Sequence, residues 1–256
     1  MKGFAAFFAK EMLELVRTKK LLIILIVFIV VGIMNPAVAK LTPALIEMMS
    51  EDLASQGMIV GEVTVTALDS WLQFAKNMPA ALAALLIMFS GIYTSEYSKG
   101  TLIPLLTKGL SRSCVILSKL SAMIIAWSAA MWLCFGLTYF YSDYYWDNSQ
   151  VHGLLFAGFG WWLFGLLMIS CIVFLSSFAN SAAQVMIGIG AFYFAMTIAG
   201  MLSKIKKYLP TCLLDSGVIF KGELYASDCI KAVIITSVLS VIFVAAAIPL
   251  TIRRRL

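Results

Sequence analysis

Between Gly153 and Leu202 the chain passes about fifty residues without one Asp, Glu, Lys, Arg or His. As a single helix this stretch would be ~75 Å long at ~1.5 Å per residue, more than twice a hydrocarbon core of ~30 Å. It must turn back once, and Ser176-Ser177-Phe178-Ala179-Asn180-Ser181 is the polar break that allows it. A soluble fold has no interior able to hide such a run. Hydrophobic residues make up 62% of the chain and charged residues 12%, where a soluble domain carries about 25% charged. That balance excludes a soluble enzyme, a disordered chain and a disulfide scaffold. What remains is an all-α integral membrane protein.

Hydropathy along the chain predicts about six transmembrane helices in one domain over residues 1–256, with spans at about 21–39, 79–93, 120–141, 153–175, 183–202 and 232–252. Ahead of the first span, Phe4, Phe7, Phe8, Met12 and Leu15 recur at helical spacing, with Lys10, Glu11, Glu14 and Arg17 on other faces. This predicts an amphipathic helix lying in the membrane interface. Ala37-Val38-Ala39 has the small-residue pattern of a signal-peptide cleavage site, but the leading segment is long and patterned for an n-region, so the first span is expected to be retained. Thr42-Pro43 reads as a helix start and Gly57 as a stop; a second short helix is expected from Thr66 to Asn77. The second span is short unless that helix continues into it.

An even number of spans puts both termini on one side. Of 19 Lys and Arg, five precede Leu21, four lie from Lys99 to Lys119 and three end the chain, so a cytoplasmic placement of both termini follows the positive-inside rule. Lys204, Lys206, Lys207 and Lys221 run against it. The net charge of +6 thus reports topology, and no nucleic-acid partner is expected.

The spans offer little chemistry. Their central parts carry no ionisable residue, which disfavours a proton relay or ion pathway. His152 is the only histidine, and neither HExxH nor GxSxG occurs, so no catalytic residues, metal ligands or cofactor are assigned. With no GxxxxGK[ST], the chain cannot hold ATP in a P-loop. Gly158, Gly160 and Gly165, and Ala191, Ala195 and Ala199, are spaced for close helix packing. Trp161, Trp162, Tyr139 and Tyr141 are expected as interface anchors. Cys212 and Cys229 share one polar segment, either bridged or free.

The polar loop after the second span is more informative. It reads Glu96-Tyr97-Ser98-Lys99-Gly100-Thr101-Leu102, then Leu105-Leu106-Thr107, Ser111-Arg112 and Leu117-Ser118-Lys119. This resembles the "E…GTL…LL…SR…K" stretch of ABC-2 type permeases, the membrane subunits of bacterial ATP-binding cassette exporters. The layout is similar over nearly the whole chain, apart from a long segment after the first span and a lysine-rich one before the sixth. The resemblance implies a transport subunit without catalysis of its own, a separate ATPase subunit holding ATP and Mg, and a second permease chain, identical or not. It implies export through a cell membrane, with Glu96, Gly100, Thr101, Leu102, Leu106, Arg112 and Lys119 in the region that couples to the ATPase. Physically, Gly100 lets the chain turn, Thr101 can cap a following helix, and Leu102, Ile103, Leu105 and Leu106 would give that helix an apolar face for a partner's groove. The same loop could instead touch anionic lipid. Charge-free spans suit an amphipathic or apolar cargo, such as a peptide. A sensor or immunity protein that sequesters a peptide without transporting it would share the same hydropathy.

Overall fold

The structure, a computed structural model, describes residues 2–48, 64–102, 104, 107 and 109–253. Its helices are α1 (Lys2–Arg17), α2 (Lys20–Met48), α3 (Ala67–Ser90), α4 (Thr94–Ser98), α5 (Arg112–Tyr145), α6 (Leu154–Ser176), α7 (Ala182–Gly200), α8 (Ser203–Lys206), α9 (Ser216–Phe220) and α10 (Ile230–Arg253). Short 3-10 turns occupy Asn148–Gln150 and Pro210–Leu214. No strand occurs among the described residues. Six helices are long and apolar enough to cross a membrane: α2, α3 with its continuation to Ser98, α5, α6, α7 and α10. The chain is a multi-pass all-α membrane protein.

Two expected helix boundaries fall inside continuous helices. The helix start expected at Thr42-Pro43 lies inside α2, which runs through Pro36 and Pro43 to Met48; the stop expected at Gly57 lies outside the described residues. The Thr66 start is present, with the Thr66 N–H donating to Asp69 Oδ2 at 2.8 Å. No stop follows at Asn77, because α3 continues through Pro79 to Ser90. A proline removes one helix hydrogen bond, but in a bundle the neighbouring helices hold the freed backbone in place. The polar break at 176–181 does separate two helices: Ser181 caps α7, its Oγ accepting from the Gln184 N–H at 3.3 Å.

α6 forms the centre. Of its most apolar window 72% is buried, against 11% for α7 and for α10, which leave most of their apolar side chains facing outward. Gly158 and Gly165 of α6 receive the rings of Phe135 and Trp127 from α5, and Gly160 abuts the Leu213 carbonyl. Trp161 is buried and is not a lipid-facing anchor, while Trp162 is half-buried. The Trp161 Nε1–H donates to Ser216 Oγ at 2.8 Å and the Trp162 Nε1–H to Ser128 Oγ at 2.9 Å, so both indoles fasten α6 to other parts of the molecule. Tyr139 and Tyr141 remain exposed.

α2 and α5 meet backbone to backbone at Gly32, where a Cβ would lie 3.0 Å from the Cys134 carbonyl oxygen. Beside that contact Asn35 donates to Thr138 Oγ1 (3.0 Å) and accepts from Asn77 Nδ2 (2.9 Å), while Thr138 donates to the Gly32 carbonyl (3.1 Å). This chain joins α2, α3 and α5 without a charge. Polar links of this kind stabilise membrane helices by roughly 0.6 to 2 kcal/mol each.

Candidate functional site

The end of the bundle where α1 rests on α5 carries the one buried ion network among the described residues. Phe7, Glu11 and Leu15 stand one turn apart on α1 and are 5%, 2% and 3% exposed. Phe4 and Phe8 stack at 6.2 Å and, with Met12, are half-buried. The aromatic face expected to lie in the membrane surface therefore packs partly on the protein's own helices. Glu11 lies on that buried face rather than among the solvated charges, because it sits four residues from both Phe7 and Leu15. Leu13 and Val16 take the outward face, more than half exposed.

Glu11 is buried because Lys119 meets it. The Lys119 ammonium, 1% exposed, lies 2.8 Å from Glu11 Oε2 and 3.0 Å from Glu96 Oε2. On the other side Lys10 reaches Glu11 Oε1 (2.9 Å), Glu14 Oε2 (2.7 Å) and Glu96 Oε1 (2.8 Å). Two ammonium groups, Lys10 of α1 and Lys119 of α5, thus alternate with three carboxylates, two from α1 and one from α4. The three carboxylates are close enough to enclose a cation, and the Lys10 ammonium fills that place. Burial alone would lower the Lys10 pKa, but hydrogen bonds to Glu14, Glu96 and Glu11 outweigh it and hold the amine above its ordinary value. Burial alone would raise the Glu14 carboxyl, yet its hydrogen bond and attraction to Lys10 bring it below the ordinary range.

Glu96 is placed by the local fold of α4. Gly100 has φ 65°, its N–H bonds the Tyr97 carbonyl (3.2 Å), and the Thr101 N–H bonds the Glu96 carbonyl (3.2 Å). These two bonds make the helix-ending motif in which a left-handed glycine closes the last turn. Gly100 turns the chain as expected. Thr101, expected to cap a following helix, instead closes the preceding one, its hydroxyl also directed to the Glu96 carbonyl at 3.4 Å. Leu102 is 2% exposed, packed with Phe7 and Val115. The expectation that it faces a partner's groove is corrected: its side chain secures α1 to this loop. Leu106, with Ile103 and Leu105, lies outside the described residues.

Further contacts tie the same end together. Arg112 Nη1 donates to the carbonyls of Thr251 (2.9 Å) and Ile252 (3.2 Å), where the last turn of α10 has carbonyls without helix partners. The Tyr93 hydroxyl donates to the Ile116 carbonyl at 3.0 Å, and Ser118 Oγ approaches the Phe4 carbonyl at 3.4 Å. Of the residues singled out from the sequence, Glu96, Leu102 and Lys119 meet α1, Gly100 and Thr101 close the turn that holds Glu96, and Arg112 reaches the end of α10. Lys10, Glu11 and Glu14 were missed as site residues. The available signal was Glu11 itself, an acid in register with Phe7 and Leu15.

Neither a curated protein nor a solved structure matches the chain. The family profile described as "ABC-2 family transporter protein" matches residues 5–210, which runs from the first turn of α1 to the first residue of the Pro210–Leu214 turn and includes the whole ion network. With a match over most of its length, this chain belongs to the ABC-2 transporter family.

Proposed function

We propose that this chain is the membrane-spanning subunit of an exporter driven by a separate ATP-binding subunit, with its termini in the cytosol and a second permease chain completing the pathway. The observation that carries the reading is the buried network of Lys10, Glu11, Glu14, Glu96 and Lys119. It makes an N-terminal helix, the loop after the second span and the start of the third span a single mechanical body. A push on α1 or on the loop near Gly100 is then passed to α5, because separating them would strand charges in a low-dielectric site. Leu13 and Val16, exposed on the outward face of α1, offer the partner an apolar contact beside that body. ATP and Mg are held by the partner. Movement of paired spans opens an outward path for an amphipathic or apolar cargo, of which a peptide is one kind.

The test is a mild-detergent pull-down from the native host, assayed for a P-loop subunit and ATP hydrolysis. An ATPase recovered in about equal amount supports the reading. Leu13→Asp with Val16→Asp should then weaken that association while leaving the chain's own melting temperature in place. Recovery of the chain alone from several detergents would overturn the reading and favour a sequestering protein.

A further inference from the structure

Two cavities lie end to end along one face of α7. Met186, Gly190 and Tyr193 border the first, and Tyr193, Thr197 and Met201 the second, so Tyr193 is their shared wall. The first has a volume of about 230 Å³, is closed behind by Trp161 and Met168 of α6, and has no charged side chain in its lining. It opens sideways between α3 and α7, where Ala83, Ile87 and Gly190 are exposed. A Cβ built on Gly190 would meet nothing within 4 Å.

The second cavity, of about 480 Å³, is different in kind. Thr197, Thr211, Lys206 and Asp215 line it. Thr211 Oγ1 is buried and has no hydrogen-bond partner among the described residues, a desolvation cost that a bound polar group would relieve. Lys206 and Asp215 face one another at 2.8 Å, presenting one charge of each sign. From Met186 to Gly200 the helix rises ~21 Å at ~1.5 Å per residue, which is the scale of one leaflet and not of the whole bilayer.

We infer that this double cavity binds a single-chain zwitterionic amphiphile, its apolar chain between α3 and α7 and its head group beside Thr211, Lys206 and Asp215. The chain enters sideways from the bilayer and needs no aqueous channel. A zwitterion can lie antiparallel to the Lys206–Asp215 pair without separating it, whereas a head of single charge would have to compete with one partner for the other. This deepens the transporter reading by naming a cargo class held at the outward, release-side end, and it rests on that reading for its meaning, though its test does not use the ATPase.

The experiment takes the full chain in maltoside detergent with a lysophosphatidylcholine carrying a diazirine at the chain end. Photolabelling followed by peptide mapping should give saturable labelling of α3 near Ala83–Ile87 and of α7 near Met186–Gly190. Dodecylphosphocholine should compete at least tenfold better than dodecyltrimethylammonium or dodecyl sulfate. Gly190→Phe fills the open space and should cut labelling about tenfold, whereas Ile187→Phe, on the outward face (72% exposed), should leave it unchanged. Ala83→Phe serves if Gly190→Phe does not fold. Labelling that does not saturate, that spreads equally to outward residues such as Val241, or that survives both fillings overturns the site. Equal competition by all three detergents overturns the head-group assignment. An ATPase that co-purifies with a chain lacking saturable labelling removes this inference and leaves the transporter reading standing.

Discussion

A lysine 1% exposed persists only where its charge is answered, and at Lys119 the answer is Glu11 at 2.8 Å and Glu96 at 3.0 Å. Removing one partner of a buried pair costs on the order of 3–5 kcal/mol, because the other is left charged and unpaired. Lys119→Met should therefore melt well below the parent protein in detergent, and so should Glu11→Gln. The combined variant should lose less than the sum of the two; strictly additive losses would show that the residues do not act together. Lys10 is 42% exposed, so water screens it, and Lys10→Gln should cost under about 1 kcal/mol. The pH dependence follows from the same contacts. Glu14 is lowered from its ordinary 4.5, so its contribution is complete above that value and is lost as pH falls through the folded-state value. Lys10 is raised above 10.5, so its contribution is complete below that value and fades only as pH rises past the folded-state value. The pair of Lys10 with Glu14 within α1 should be flat near neutrality and weaken on acidification below about pH 4.5, read as faster amide exchange in the middle turns of α1. Protection of those turns unchanged at pH 3 would count against that pair as a support of the helix.

At the scale of elements, legibility followed one rule. Long apolar runs were readable because lipid demands them, and both the break at 176–181 and the start at Thr66 carried side chains suited to capping. The start at Thr42-Pro43 and the end at Asn77 fall inside continuous helices, and the continuation of the Thr66 helix into the second span is the alternative that the short second span left open. α3 is held by packing along its first turns: Trp71 and Phe74 meet edge to face at 5.5 Å, with Phe135 of α5 5.1 Å from Trp71. Trp161 was misread, since an indole suits either a membrane interface or a buried hydroxyl, and only the fold supplies Ser216. The close contact of α2 with α5 at Gly32 was not legible at all, because a glycine in an apolar run does not announce its neighbour. It makes a definite prediction. Gly32→Leu must displace the Cys134 backbone or the Leu137 side chain, whose Cβ would lie 3.1 Å from the added atom, and overpacking of this kind costs typically 1–3 kcal/mol. Gly136→Ala, facing open space, should be near neutral. Comparable melting temperatures for the two variants would mean that α2 and α5 do not meet there.

For the molecule as a whole, two of the four lysines that run against the expected orientation, Lys206 and Lys207, have local partners. Lys206 is paired with Asp215 at 2.8 Å, while Lys207 and Lys231 lie 5.3 Å and 5.1 Å from the centre of the Tyr208 ring. Their charges are engaged with local groups at the end of the bundle that carries Pro210–Leu214. At the opposite end the ion network and the Arg112 clamp gather α1, the loop after α3 and the end of α10. Only there do several cations accompany both termini, so that end should face the cytosol. Impermeant maleimide on intact cells tests this. Cys212 and Cys229 are buried free thiols, 3.3 Å apart. Burial pushes the Cys229 thiol up to about 12 and raises the Cys212 thiol as well. Since the thiolate is the reactive form, neither should label at neutral pH in the folded protein, and strong background labelling of both would contradict their burial. In a Cys114→Ser background, Tyr225→Cys, at a side chain 62% exposed, should label without permeabilisation. Lys99→Cys, on the exposed turn that follows Glu96, should label only after the membrane is opened. The reverse pattern would place the ion network outside the cell, out of reach of any cytosolic ATPase, and would remove the physical basis for a coupling role.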